Sequence, residues 1–248
     1  MRSLLVVFLG ASNSELLFGN MRPINFILDS GVWLIYAPLL VFLDVLVRRQ
    51  HFGYLRVWLS GILFGLLLEC CMVGMVGEGF GIMVIVMLWH AFFTITLTMM
   101  IVDMLMPRDT SRSVASKTGR VAHWLLAAVG LLMGGGMFLA QGLPAIGSRP
   151  LDALLCLISA LIVAAVLFAL RKREDAPKPR VSIILILLIV GFSLGLKLIE
   201  IENADPAKQP IQEIDHLIRA ALYAAMAAVV VVKARESWQA FSLATARE

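Results

Sequence analysis

Charge is the scarcest property of this 248-residue chain: Asp, Glu, Lys and Arg make up 15% of it, against about 25% in an average soluble domain. Cysteine is scarce too, at three residues, and histidine numbers four. Cys70, Cys71 and Cys156 all fall inside apolar stretches, where none is placed for a disulfide on the outer face. No spacing of Cys, His, Asp or Glu suggests a metal site. The net charge of +4 and the pI of about 9.2 come without any basic stripe, which excludes a nucleic-acid partner. No linker is long enough to fold as a separate domain, so residues 1–248 read as one integral membrane domain. No internal repeat divides the chain into two transporter halves.

Apolar residues fill the place of the missing charge. They account for 60% of the chain, and the mean hydropathy is +0.90. A helix needs about 20 mostly apolar residues to cross a bilayer core of about 30 Å. Seven stretches meet or approach that length: Gly31 to Val47, Val57 to Val76, Ile82 to Met106, Val121 to Ala140, Leu151 to Leu170, Val181 to Ile199 and His216 to Val232. None alternates as a barrel strand would. An eighth stretch, Leu4 to Phe18, reads as a short first span, a re-entrant piece or a signal peptide. The expected fold is all-α, a polytopic transmembrane helix bundle of about eight spans, or seven if the first stretch does not cross. Its first partner is the lipid bilayer.

Loop charges set the orientation. With eight spans, 16 of the 21 Lys and Arg residues fall on one side, including Arg2, Arg48, Arg49, Arg108 and the run Arg171-Lys172-Arg173. Three (Arg22, Arg149, Lys208) fall on the other, and Lys197 and Arg219 lie within spans. Basic loops mark the cytoplasmic face. The sequence therefore places the chain in a bacterial inner membrane with both termini in the cytoplasm.

Against this apolar background each ionisable residue in a span stands out, because charge in hydrocarbon is costly. Asp44 and Asp103 lie near the cytoplasmic ends of their helices and are expected to pair with Arg48 and Arg108. Glu69 has no cation within sequence reach. It lies seven residues from the outer end of its span, and His90 lies eight residues into the next, across the tight Gly77–Gly81 turn. At a rise of about 1.5 Å per residue both sit about 10–12 Å below the outer surface. Equal depth permits contact; rotation about the helix axes is not given by spacing. Gly61 and Gly65 share a face with Glu69 and allow close approach. Thr94 and Thr98 continue the His90 face as a polar stripe.

A Glu–His pair at this depth relays protons, binds a cation, or serves as general base; alternatively it fixes helix packing. A second polar cluster, Asp215, His216 and Arg219 with Lys197 and Glu200, gathers at the outer ends of the last two spans. Asn13, Glu15 and Asp29 are expected near the same outer vestibule. The candidate binding residues are thus Glu69, His90, Thr94, Glu15, Arg219 and His216, with no catalytic residue, metal or cofactor assigned. Beyond lipid, a membrane-protein partner or a small ligand remains open. Three functions follow: a small transporter-like or accessory protein with an outward-opening pocket, a membrane-embedded Glu/His hydrolase, or a structural subunit.

Two stretches carry a resemblance. Glu15-Leu16-Leu17-Phe18-Gly19-Asn20-Met21-Arg22-Pro23 resembles the start of a group of uncharacterised bacterial multi-pass membrane proteins. Trp89-His90-Ala91 through Met106-Pro107 is similar to another part of the same group. The resemblance covers the first half of the chain and implies a multi-pass bacterial membrane protein; it carries no activity. That group tends to have a paired glutamate in the third span, where this chain has Leu68-Glu69. CAAX-type intramembrane proteases also set glutamates and histidines on adjacent spans. Their Glu-Glu-x-x-x-Arg and Phe-x-x-x-His motifs are absent here, since no arginine follows Glu69 in its helix and Val86 stands four residues before His90.

Overall fold

The computed structural model describes residues 1–15, 30–106, 108, 128–130 and 132–170, with a few isolated positions elsewhere. Among the described residues every element is helical. Helix α1 spans Arg2–Glu15 and α2 spans Ser30–Arg49. Helix α3 covers Tyr54–Gly65 and continues, π-wound, through Leu66–Val73. Helix α4 runs Phe80–Leu105, α5 Ala128–Ser148 and α6 Pro150–Ala169. Four of these, α2, α4, α5 and α6, are long and apolar enough to cross a membrane. The stretches Val181 to Ile199 and His216 to Val232 lie outside the described residues.

Helices are the outcome because an apolar surround offers no partner for backbone N–H and C=O groups, so each segment must bond to itself. Their outer faces carry large exposed apolar side chains such as Phe42, Ile85, Leu157 and Phe168. Such a face is costly in water and costless against lipid.

Packing centres on α1, α2, α3 and α4. Val6, Leu40, Val57, Ile95, Met99 and Val102 meet in one buried core. The tightest crossing is between α3 and α4, where the Cβ of any larger residue at position 61 would lie 2.6 Å from the Ala91 Cα. At position 65 it would lie 3.1 Å from the Met87 Cα and 3.2 Å from the His90 Cβ. The two glycines expected to permit close approach therefore do so, and they draw α4 in at the level of His90.

The α3–α4 turn starts earlier than the Gly77–Gly81 hairpin. Gly74, at φ 78°, ends the π-wound run, a short 3-10 turn covers Met75–Glu78, and Gly79, at φ 104°, starts α4. Both glycines adopt the left-handed φ that side chains resist. The Gly- and Pro-rich stretch Gln141 to Pro150 is helical as far as Ser148. Pro144 lies inside this continuous helix, just after the π-wound turn Phe138–Gly142, where its missing N–H removes one bond from the helical ladder.

The first helix is more buried than a terminal stretch of its length suggests. Arg2, Val6, Ala11, Asn13 and Ser14 all lie inside. Arg2 sits in an ion-pair network with one aspartate from α2 and one from α4: its Nε donates to Asp44 Oδ1 at 2.9 Å and its Nη2 to Asp103 Oδ1 at 2.6 Å. Arg48 also pairs with Asp44 (3.1 Å) and Arg108 with Asp103 (2.6 Å), as their sequence spacing suggested.

Candidate functional site

Glu69 sits in the π-wound end of α3, and His90 opens the π-wound middle of α4, His90–Leu97. The Thr96 hydroxyl donates to the Ala91 carbonyl five residues back at 2.6 Å, in keeping with the wider π turn. π turns recur at functional sites because they displace side chains from the regular helical face. Here they bring the His90 Nε2 to 2.8 Å from the Glu69 Oε1. The other ring nitrogen, Nδ1, lies 3.0 Å from the Thr94 hydroxyl. Both ring nitrogens are thus engaged, and the Phe64 edge closes on the ring at 5.5 Å. His90 is 2% exposed, whereas the Glu69 side chain retains 13%.

That residual exposure opens into a cavity of about 340 Å³. Such a volume suits a small ligand. Glu69, His90, Glu15, Ser14, Tyr36 and Trp89 supply its polar and aromatic wall, and apolar side chains complete it. Among the described residues no lysine or arginine lines it. The Tyr36 hydroxyl donates to Glu15 Oε1 at 2.5 Å and lies 2.7 Å from the Ser14 Oγ. Two carboxylates therefore border one cavity, one held by a histidine and the other by a tyrosine.

Of the residues singled out in the sequence, Glu69, His90 and Thr94 form one hydrogen-bonded row, and Glu15 joins their cavity rather than a separate vestibule. Asp29, Asp215, His216 and Arg219 lie outside the described residues. Asn13 points away from the cavity, its Nδ2 donating to Thr98 Oγ1 at 2.9 Å and to the Phe93 carbonyl at 3.3 Å. Sequence reading missed Tyr36, which was not among the candidate site residues. The signal that would have found it is the polar run Asn13-Ser14-Glu15 at the end of an apolar helix, which needs partners from a neighbour.

Other sites are less equipped. A larger cavity of about 510 Å³ lies among α2, α3 and α6, and its lining is apolar apart from Gln50, Arg56 and Ser60. It offers no paired acid and base. Among the described residues no three of His, Cys, Asp and Glu converge as metal ligands.

Tyr36→Phe isolates the second half of the wall. Losing a hydroxyl that serves the buried Ser14 and the half-buried Glu15 is expected to cost about 1–3 kcal/mol. The thermal midpoint of detergent-purified protein should fall by a few degrees; an unchanged midpoint would show that this hydrogen bond contributes nothing.

Compared with known proteins, the chain matches no protein-family model, no curated protein and no solved structure.

Proposed function

We propose that this chain is a multi-pass protein of a bacterial inner membrane, with about eight spans and both termini cytoplasmic, working as a small proton-linked transporter. Supporting the placement are the four membrane-length helices and the concentration of Lys and Arg on one side of the expected bundle. The observation that carries the transport reading is the Glu69–His90 pair at 2.8 Å, set in the wall of a cavity that a second carboxylate, Glu15, also borders. A carboxylate and an imidazole in direct contact exchange a proton without moving through water. The two carboxylates in its wall, with no basic residue among the described lining, favour a cationic or proton-donating solute. The hydrolase alternative has less support. Among the described lining residues the hydroxyl nucleophile, Ser14, is bonded to Tyr36 rather than to His90.

The test is proton entry into proteoliposomes containing the full chain, with a trapped pH-sensitive dye, an imposed pH gradient, and valinomycin with potassium to balance charge. Wild-type protein should acidify the lumen, and Glu69→Gln should lower the rate at least tenfold while eluting as the same folded species. Equal rates for protein-containing and empty vesicles would overturn the reading. A Glu69→Gln variant that merely fails to assemble would favour the structural-subunit alternative.

A further inference from the structure

One face of α4 carries His90, Thr94, Thr98 and Val102 at four-residue intervals. The first three are polar, and all four are buried. His90 Nδ1 meets the Thr94 hydroxyl at 3.0 Å, and the Thr98 hydroxyl accepts from Asn13 Nδ2 at 2.9 Å. Asn13 also reaches the Phe93 carbonyl, so it lies alongside the turn that joins the two threonines. Its Oδ1 is fully buried and meets no donor among the described residues. A buried carbonyl left without a donor costs about 1–3 kcal/mol, and such groups mark sites where water binds or chemistry occurs. Beyond Thr98 the polar row stops. Val6, Leu40, Met99 and Val102 form a fully buried apolar layer. Next to this layer, about 7.5 Å beyond Thr98 along the α4 axis at helical rise, stands Asp103 with Arg2, Arg108 and Tyr54 around it.

We infer that this row is a proton path leading from the Glu69–His90 cavity toward Asp103, and that the Val102 layer is the barrier that keeps it closed. The inference rests on the proton-linked reading above and assigns residues that reading does not use. A proton bound at Glu69 passes to His90 Nε2, and the ring releases the proton on Nδ1 to the Thr94 oxygen. Thr94 gives up its own hydroxyl proton to a water held by the Asn13 carbonyl and Thr98. Each hydroxyl takes one proton as it gives one, so a single proton enters at Glu69 and a single proton reaches Asp103. The imidazole is left protonated on Nε2, and rotation of the ring restores it. Asn13 is a positioning residue, because an amide holds the water without carrying the proton. Crossing the Val102 layer requires transient hydration between Val6 and Val102, which makes transfer slow at rest.

Valine and threonine have nearly the same shape, so the path can be lengthened or broken with little change in packing. Thr98→Val is expected to lower dye-reported proton entry about tenfold, and Asn13→Leu to do the same. Val102→Thr carries the polar row one turn further and is expected to raise proton entry about tenfold, with its new hydroxyl bonding back to the Thr98 carbonyl. Thr96→Val is the comparison, since Thr96 bonds to a backbone carbonyl off this row; its rate should match wild type. All variants are first compared with wild type by elution profile and melting. Should Thr98→Val and Val102→Thr both leave the rate unchanged while Glu69→Gln abolishes it, the path is wrong and the proton-linked site stands. Should wild-type protein carry no protons at all, both fall.

Discussion

Gly61→Val should leave little folded protein. The backbone of α4 passes so close that the new Cβ would stand 2.6 Å from the Ala91 Cα and 3.1 Å from the Ile95 Cβ. Overpacking a core ordinarily costs about 1–3 kcal/mol, with larger values where the neighbour cannot move. Here the obstacle is main chain, held by its own helix, so the cost belongs at or above the top of that range. Relief would require α3 and α4 to separate, and that also parts Glu69 from His90. The measurement is a fluorescence-detected elution profile and melting curve of detergent-solubilised protein. Gly135→Ala serves as control, because no described residue lies within 4 Å of its added carbon. A Gly61→Val protein that melts within two or so degrees of wild type would show that the helices are not seated as described.

The second large effect belongs to Asp103→Ala. Asp103 accepts from Arg2, from Arg108 and from the Tyr54 hydroxyl, and its side chain is 6% exposed. Removing one member of a buried ion cluster costs about 3–5 kcal/mol, because the remaining charges lose their counter-ion and regain no water. Arg2→Gln should cost markedly less. After that change Asp44 still pairs with Arg48, and Asp103 still pairs with Arg108. What is lost is the Arg2 bridge to α2 and α4, while Ser3 Oγ still donates to Asp44 Oδ2 at 2.7 Å. Comparing the two melting temperatures separates these effects; an Arg2→Gln loss as large as that of Asp103→Ala would mean that the network is a single unit rather than two local pairs joined by one bridge.

Much of the architecture was legible in the sequence. Long apolar runs dictate helices whatever their neighbours, so α2, α4 and α6 fall within a few residues of Gly31 to Val47, Ile82 to Met106 and Leu151 to Leu170. The ends were harder, since Gly and Pro in Gln141 to Pro150 signal a turn, and yet α5 carries Pro144 inside a helix that runs on to Ser148. Depth was also legible: rise per residue set Glu69 and His90 at one level, and their side chains meet there. Rotation was not. It depends on where Gly61 and Gly65 let α4 settle and on π winding, which has no compositional signature.

Arg2 shows a different limit. A lone arginine beside the terminus counts as a loop charge in any tally of basic residues. Only the packing of α1 between α2 and α4 reveals that two aspartates from different helices reach the same guanidinium. Glu15 and Tyr36 meet for a similar reason, since their contact depends on how two helices cross and not on spacing within either.

The π winding at Leu66–Val73 also bears on which length changes the chain tolerates. Losing one residue from a regular α-helix turns everything beyond it by about 100°, so a core face becomes a lipid face. A π-wound stretch holds more chain per turn than an α-wound one. One residue can be surrendered there by rewinding as α, with Gly61 still against Ala91 on one side and Gly74 still turning the chain on the other. The slack of this helix pair is therefore stored at its Glu69 end, and length variation is absorbed at the site itself while the flanking crossings keep their register.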